Sequence, residues 1–301
     1  MKFIVDEVHE GLTVGEFLKA RGFSGRALRR LKREGKIFLN GEKVFASAKV
    51  TSGNIVEVDL SEESKIKPSY VPINILYEDE HIIVLNKQPG VVVHPTPFCR
   101  DGTIANGVMH YLNKKGKRGG FHPVNRLDRD TSGVLVIALN QYMHGFLQAH
   151  GRIEKIYVAV VEGSVKEERG VIEEKIGRKE ESLIERRVTE SGKKAVTHFK
   201  VLRRLKGYTV LEVKPLTGRT HQIRVHLSHL GHPVAGDTLY GGKNDKIKRQ
   251  ALHCAEMSFF YPLKGTRVAF KALLPLDMLS LMEEAGDSGA VFGSLDKEKA
   301  K

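Results

Sequence analysis

Apolar positions in this chain first follow a helical rhythm and then fall into short blocks. Leu12, Phe17, Leu18, Phe23, Leu28 and Leu31 recur every few residues, the spacing of a helix face. Ser24 can cap a helix start and Gly35 can end one, so the pattern predicts a helix over Gly25–Glu34. Residues 37–39 then read as a strand, Asn40-Gly41 as a turn, and residues 55–60 as a second, alternating strand. Residues 61–72 are polar and hold two prolines, the composition of a linker. Beyond them, apolar runs at 82–85, 91–93, 134–139, 156–161, 208–213 and 268–272 predict strands. Helical spacing is fewer in number, at 103–112, 141–151 and 222–230. Strands outnumber helices without a βαβ rhythm, so the fold class expected is α+β, with a mixed, largely antiparallel sheet. The units expected are 1–60, a linker at 61–72, a large domain at 73–285 and a flexible tail at 286–301.

Charge sharpens the reading of the first unit. The chain has 301 residues and a formal net charge of +13. Between Lys19 and Lys36 stand eight basic residues against one acid, Glu34. On the predicted helix, Arg26, Arg29, Arg30, Lys32 and Arg33 would share an exposed face, suited to a polyphosphate partner. The longest apolar run is too short to cross a bilayer, and the N-terminus turns acidic at once, unlike a signal peptide. The two cysteines, Cys99 and Cys254, make no Cys-x-x-Cys pair. A cytoplasmic protein without a membrane contact is expected.

The densest chemistry lies in residues 122–139. Asp128 stands between Arg126 and Arg129, is followed by Thr131-Ser132-Gly133, and leads into the longest apolar run. Neighbouring guanidinium groups favour an ionised carboxylate. Such an acid can serve as nucleophile or base, or simply brace a turn. In residues 216–227, Gly218 permits a tight turn and places Arg219 near a helix start, where unpaired N–H groups favour anions. His221, His226, His229 and His232 lack cysteine or acid at zinc spacing, so no metal is expected. Tyr157 lies in a strand apolar on both faces. Neither a phosphate-binding glycine loop nor a dinucleotide fingerprint occurs, and no nucleotide cofactor is expected.

Two resemblances organise these residues. Val14-x-x-Phe17-Leu18, Ser24-x-Arg26, Leu31-x-x-x-Gly35-x-Ile37, Asn40-Gly41 and Val50-x-x-Gly53-x-x-Val56 resemble the small αL RNA-binding module first described in ribosomal small-subunit protein four. Arg126-Leu127-Asp128-x-x-Thr131-Ser132-Gly133 resembles the signature of the RluA-type pseudouridine synthases. Blocks at 75–90, 154–157 and 217–224, extended by Gly231-His232-Pro233 and Gly236-Asp237, resemble the same family in the same order. Asn125 departs from the family's usual histidine, which touches a local hydrogen bond and not Asp128 itself.

The resemblance implies a pseudouridine synthase domain at 73–285 that detaches uracil from C1′ of its ribose, rotates it and rejoins it through C5. It makes Asp128 the essential carboxylate, Tyr157 the ring stacked on uracil, Arg219 the ion-pair partner of Asp128, and Arg126 a helper in base flipping. It implies no cofactor, an RNA partner, ribosomal by analogy with relatives that carry the αL module, and a monomer. The rival reading is a non-catalytic RNA-binding ribosome-assembly factor on the same fold.

Overall fold

The computed structural model describes residues 1–97, 99–182 and 184–286. The expected tail falls, from residue 287 onward, outside the described residues. Residues 1–60 build their own sheet and core. Strand β1 (Lys2–Ile4) leads to α1 (Val14–Ala20) and α2 (Gly25–Glu34), then β2 (Ile37–Leu39), β3 (Glu42–Lys43) and β4 (Ile55–Val58), in the sheet order β1-β4-β2-β3. Helix α2 begins and ends at the predicted signals. Ser24 Oγ accepts from the Ala27 N–H at 3.2 Å, and Gly35 closes the helix with φ 61°. Helix α1, which the sequence reading did not delimit, opens with a reciprocal box in which Thr13 and Glu16 each accept from the other's backbone N–H. Phe17, Leu18, Leu28 and Leu31 from the two helices are buried against Ile37, Val56 and Val58.

The larger unit continues with β5 (Asn74–Glu78), β6 (Ile82–Lys87), α3 (Ile104–Lys114), β7 (His122–Pro123), β8 (Ser132–Ala138) and α4 (Gln141–His150). It runs on through β9 (Glu154–Glu162), β10 (Arg169–Arg178), β11 (Arg186–Val188), β12 (Lys193–Leu205) and β13 (Tyr208–Pro215). Helix α5 (Gln222–His229), β14 (Leu252–Tyr261), β15 (Thr266–Lys271) and α6 (Leu276–Glu284) complete it. Among the described residues these strands form one 11-stranded sheet in the order β11-β10-β12-β13-β9-β14-β8-β6-β5, with β7 beside β8 and β15 beside β14. Its pairings are antiparallel except where β14 meets β8. The mixed, largely antiparallel α+β architecture expected from the pattern is what the chain forms.

Two expectations need correction in detail. Residues 91–93 form no strand; the carbonyls of Val92 and Val93 instead accept from the Ile104 and Ala105 N–H groups at the start of α3. Helix-start donors have no intrahelical partner, so the extended segment serves as their acceptor. Strands β10, β12 and β14 escaped the sequence reading because charged and polar residues interrupt their apolar positions. In β10 only Ile172 and Ile176 are buried.

Residues 61–72 contain no helix or strand, yet they are fastened down. Asn106 Nδ2 donates to the Lys67 carbonyl at 2.8 Å, and Glu62 accepts from Arg30 Nη2 (2.6 Å), His122 Nε2 (2.7 Å) and the Gln141 N–H (2.9 Å). Burial disfavours the Glu62 charge, but these donors outweigh it and hold the carboxyl at about 2. Beside this clasp, Tyr142 of α4 joins the core of the first unit. Its ring stacks on Phe23 with centroids 3.9 Å apart, and its hydroxyl donates to the Arg21 carbonyl at 3.0 Å.

The parallel contact between β14 and β8 sets the geometry of the centre. His253 pairs with Ser132 and Cys254 with Gly133, so β8 and β14 run side by side from loops at the same end of the sheet. Gly133 has φ 111°, and a Cβ there would lie 2.2 Å from the Cys254 carbonyl oxygen. Only glycine relieves both the dihedral and the close approach. Gly133→Ala is expected to lower stability by at least about 2 kcal/mol, read as a lower urea midpoint with an unchanged slope.

Candidate active site

Asp128 sits on a turn that the fold has immobilised from several sides. The turn itself is closed by the Thr131 N–H donating to the Asp128 carbonyl at 3.2 Å. Lys87, buried at the end of β6, donates from Nζ to the carbonyls of Gln88 (2.8 Å), Arg129 (2.8 Å) and Thr131 (3.0 Å). Burial pushes its ammonium down to about 7, with the Asp130 and Asp128 carboxylates opposing. From the other side Arg249 Nη1 donates to the Asp130 carbonyl at 3.1 Å while its own fork grips Asp277 at 2.6 and 2.9 Å. Asn125 is buried and bridges to β8. Its Nδ2 donates to the Val134 carbonyl (3.0 Å), and its Oδ1 accepts from the Val136 N–H (2.9 Å).

The carboxylate meets a guanidinium, though not the one expected. Arg224 Nη1 lies 3.0 Å from Asp128 Oδ2, while Arg224 Nε and Nη2 hold both oxygens of buried Asp237 at 2.6 and 2.7 Å. Burial works against the Arg224 charge, but the Asp237 bonds and the fields of both acids outweigh it and raise its pKa. Arg219 is not the partner. Gln222 Oε1 accepts from the Thr217 hydroxyl (2.7 Å) and the Arg219 N–H (3.0 Å), locking the turn before α5. That turn sends the Arg219 side chain to the Lys194 carbonyl, Nε to O 3.1 Å, while Arg224, in the first turn of α5, is buried. Arg129 also turns away from Asp128 and pairs with Asp130 at 3.0 Å.

A pocket of about 270 Å³ lies in front of Asp128, lined by Arg126, Lys155, Tyr157, Arg219, His221 and Arg224 among others. All four catalytic and flipping candidates, Asp128, Tyr157, Arg219 and Arg126, therefore line one cavity. Tyr157 is almost fully buried on β9 opposite Cys254 of β14, and burial together with the nearby thiol raises its phenol pKa well above the usual value. Burial likewise pushes the Cys254 thiol up to about 12. Lys155 precedes Tyr157 by two residues, so strand alternation puts both on the pocket face; burial lowers its pKa. His221 holds φ 56°, its Nδ1 lies 2.8 Å from the Tyr240 hydroxyl, and its Nε2 is 3.9 Å from Asp128 Oδ2.

In the sequence, Arg224 and Asp237 stand in the matching blocks with nothing to mark their role, and spacing does not single out Lys87, Lys155 or His221 as parts of the site. The available signal was an arginine and an aspartate in the blocks flanking a helix that also carries histidines. Among the described residues, no cluster of three or more His, Cys, Asp or Glu could hold a metal ion. His226 instead lies between the Thr197 hydroxyl (2.8 Å) and the Glu174 carbonyl (3.3 Å).

Asp128 thus sits on a braced turn, ion-paired to Arg224, in a pocket that Tyr157 and several basic side chains line. The description RNA pseudouridylate synthase matches residues 81–229. An uncharacterized RNA pseudouridine synthase of Bacillus subtilis (strain 168), YjbO, is 42% identical over 279 residues, spanning 90% of this chain and 99% of that protein. Ribosomal large subunit pseudouridine synthase D of Xylella fastidiosa is 35% identical over 289 residues, spanning 90% and 87%. The solved structure of human RNA pseudouridylate synthase domain containing 1 superposes with a TM-score of 0.54 at 30% identity, covering 70% of this chain and 94% of that one. The chain belongs to the RNA pseudouridine synthase family, and it is an isomerase.

Asp237 is buried and turns both of its oxygens to Arg224, so it decides where that guanidinium points. Asp237→Asn replaces one acceptor by an NH2 group facing a donor. Loss of this alignment is expected to reduce pseudouridine formation by about 10–100-fold, measured as tritium release from C5-labelled uridine RNA.

Proposed function

We propose that this enzyme isomerises uridine to pseudouridine in large-subunit ribosomal RNA, with Asp128 as its single working carboxylate. The observation that carries this reading is the Asp128–Arg224–Asp237 array at the base of a pocket that also holds Tyr157. The pocket volume lies just below the roughly 300–1,000 Å³ of drug-sized ligand sites, which suits one flipped-out base. Asp128 acts at the ribose, either by attack on C1′ or by removing a ribose proton to leave a glycal. Both routes use one carboxylate and end with uracil rejoined through C5. The Tyr157 ring stacks on the base. Arg126, exposed at the pocket lip, holds the flipped-out conformation, and Arg219, also exposed and lining the pocket, offers charge to the RNA backbone. Unstacking a paired uridine costs about a few kcal/mol, which contacts to phosphate offset. The ribosomal assignment is supported by relatives named ribosomal large subunit pseudouridine synthase D.

Residues 1–60 act in this reading as an αL RNA-binding domain ahead of a catalytic domain at 73–285, in a monomeric cytoplasmic enzyme. Their basic helix α2 supports it: Arg26, Arg29, Lys32 and Arg33 are exposed. Arg30 differs from the expected set, because its guanidinium is committed to Glu62 at 2.6 Å. Replacing Arg26, Arg29 and Arg33 by Gln is expected to weaken RNA binding and flatten its salt dependence by about one unit of slope per lost phosphate contact. The chemical step on bound RNA should be unaffected. Asp128→Asn is expected to abolish carbodiimide-dependent primer-extension stops at the target while RNA binding persists. Modification that survives this change would exclude Asp128 as the working carboxylate.

A further inference from the structure

Among the described residues, Asn40, Arg152 and His221 are the non-glycine residues with positive φ. Of these, only His221 lines the active-site pocket. Such backbone conformations are strained and persist where the surroundings hold them. The His221 ring is held by Tyr240, whose hydroxyl lies 2.8 Å from Nδ1, and that contact does more than fix the ring's position.

The Arg186 backbone N–H donates to the Tyr240 hydroxyl oxygen at 3.0 Å, and a backbone N–H can only donate. The hydroxyl therefore keeps its own proton to place, and His221 Nδ1 lies 2.8 Å away. With Nδ1 as acceptor, the neutral ring carries its proton on Nε2, the nitrogen facing Asp128 Oδ2 at 3.9 Å. The opposite tautomer would give the Tyr240 oxygen two donors and leave its proton without an acceptor among the described residues. Burial is the largest influence on the ring and lowers its pKa. The charged groups facing it are divided, with Asp128 and Asp237 favouring protonation and Arg224 and Arg186 opposing it.

Asp128 Oδ2 already accepts from Arg224 Nη1 at 3.0 Å. A second N–H aimed at the same oxygen leaves Oδ1 to face the substrate. We propose that His221 is a positioning residue for Asp128: locked by Tyr240 as the Nε2–H tautomer, it closes on Oδ2 when the base is seated and turns Oδ1 toward the ribose. Catalytic hydrogen bonds are often long in the empty enzyme and tighten with substrate bound. The inference rests on the reading of Asp128 as the working carboxylate.

The tautomer can be read without any RNA. In the full-length chain labelled with 15N-histidine, the His221 signals, assigned by their loss in His221→Gln, are expected to show the Nε2–H pattern at pH 7.5. Tyr240→Phe should convert them to a tautomer mixture. An Nδ1–H pattern or a protonated ring at pH 7.5 would overturn the proposal. Kinetically, His221→Ala is expected to slow single-turnover pseudouridine formation by about 10–100-fold, with KM within about twofold, on large-subunit RNA from a strain lacking the enzyme. His221→Gln, whose amide N–H replaces the ring donor, should recover most of that loss. A full rate in His221→Ala, or a defect confined to KM or to thermal midpoint, would also overturn it. Failure of the catalytic reading itself would appear elsewhere, as wild-type activity retained by Asp128→Asn.

Discussion

A guanidinium shared between two carboxylates governs this active site. Arg224 is buried, and a buried charge is tolerated only when paired and fully hydrogen-bonded. Asp237 meets that need with two bonds, at 2.6 and 2.7 Å, leaving one N–H directed at Asp128. The two acids are unequal. Asp237 is enclosed and serves the arginine; Asp128 is about a third exposed at its side chain and uses the arginine. That division lets one carboxylate stay available in the pocket while the pairing that orients it is sealed below.

The rest of the centre keeps that arrangement from drifting. The turn bearing Asp128 is tied through main-chain carbonyls by Lys87 and Arg249, and through side chains by Asn125 and Gln250. These ties come from β6, from β14's approach and from the segment before β8, so no single element decides the carboxylate's place. The bonds from Lys87 and Arg249 use backbone carbonyls as their acceptors. They therefore hold the turn without occupying the side chain of Asp128. Glycine at 133 lets β8 and β14 approach closely enough for this to happen next to Tyr157 and Cys254.

Much of this was legible in the sequence. Asp128 stood out by its turn and flanking apolar strand, Tyr157 by its block, and α2 by a serine cap and a terminal glycine that both behave as read. The partner of Asp128 was not legible, because Arg219 and Arg224 differ in direction through the Gln222 clamp, a tertiary and local packing matter invisible to spacing. Arg129 was closer in sequence still, yet Asp130 takes it. Strand β10 was hidden because it buries little and so carries no apolar run. Residues 91–93 were apolar enough to look like a strand, but their carbonyls were needed at the head of α3.

The Tyr142 ring belongs to one helix of the large unit and to the hydrophobic interior of the small one, and Glu62 clasps both nearby. The basic helix and the turn that carries Asp128 therefore share a common footing instead of hanging on a loose tether. An RNA engaging both surfaces would meet a set span between its anchoring phosphates and its reacting ribose. The chain would then gauge which uridine comes within reach by distance along the folded RNA, before any base is read.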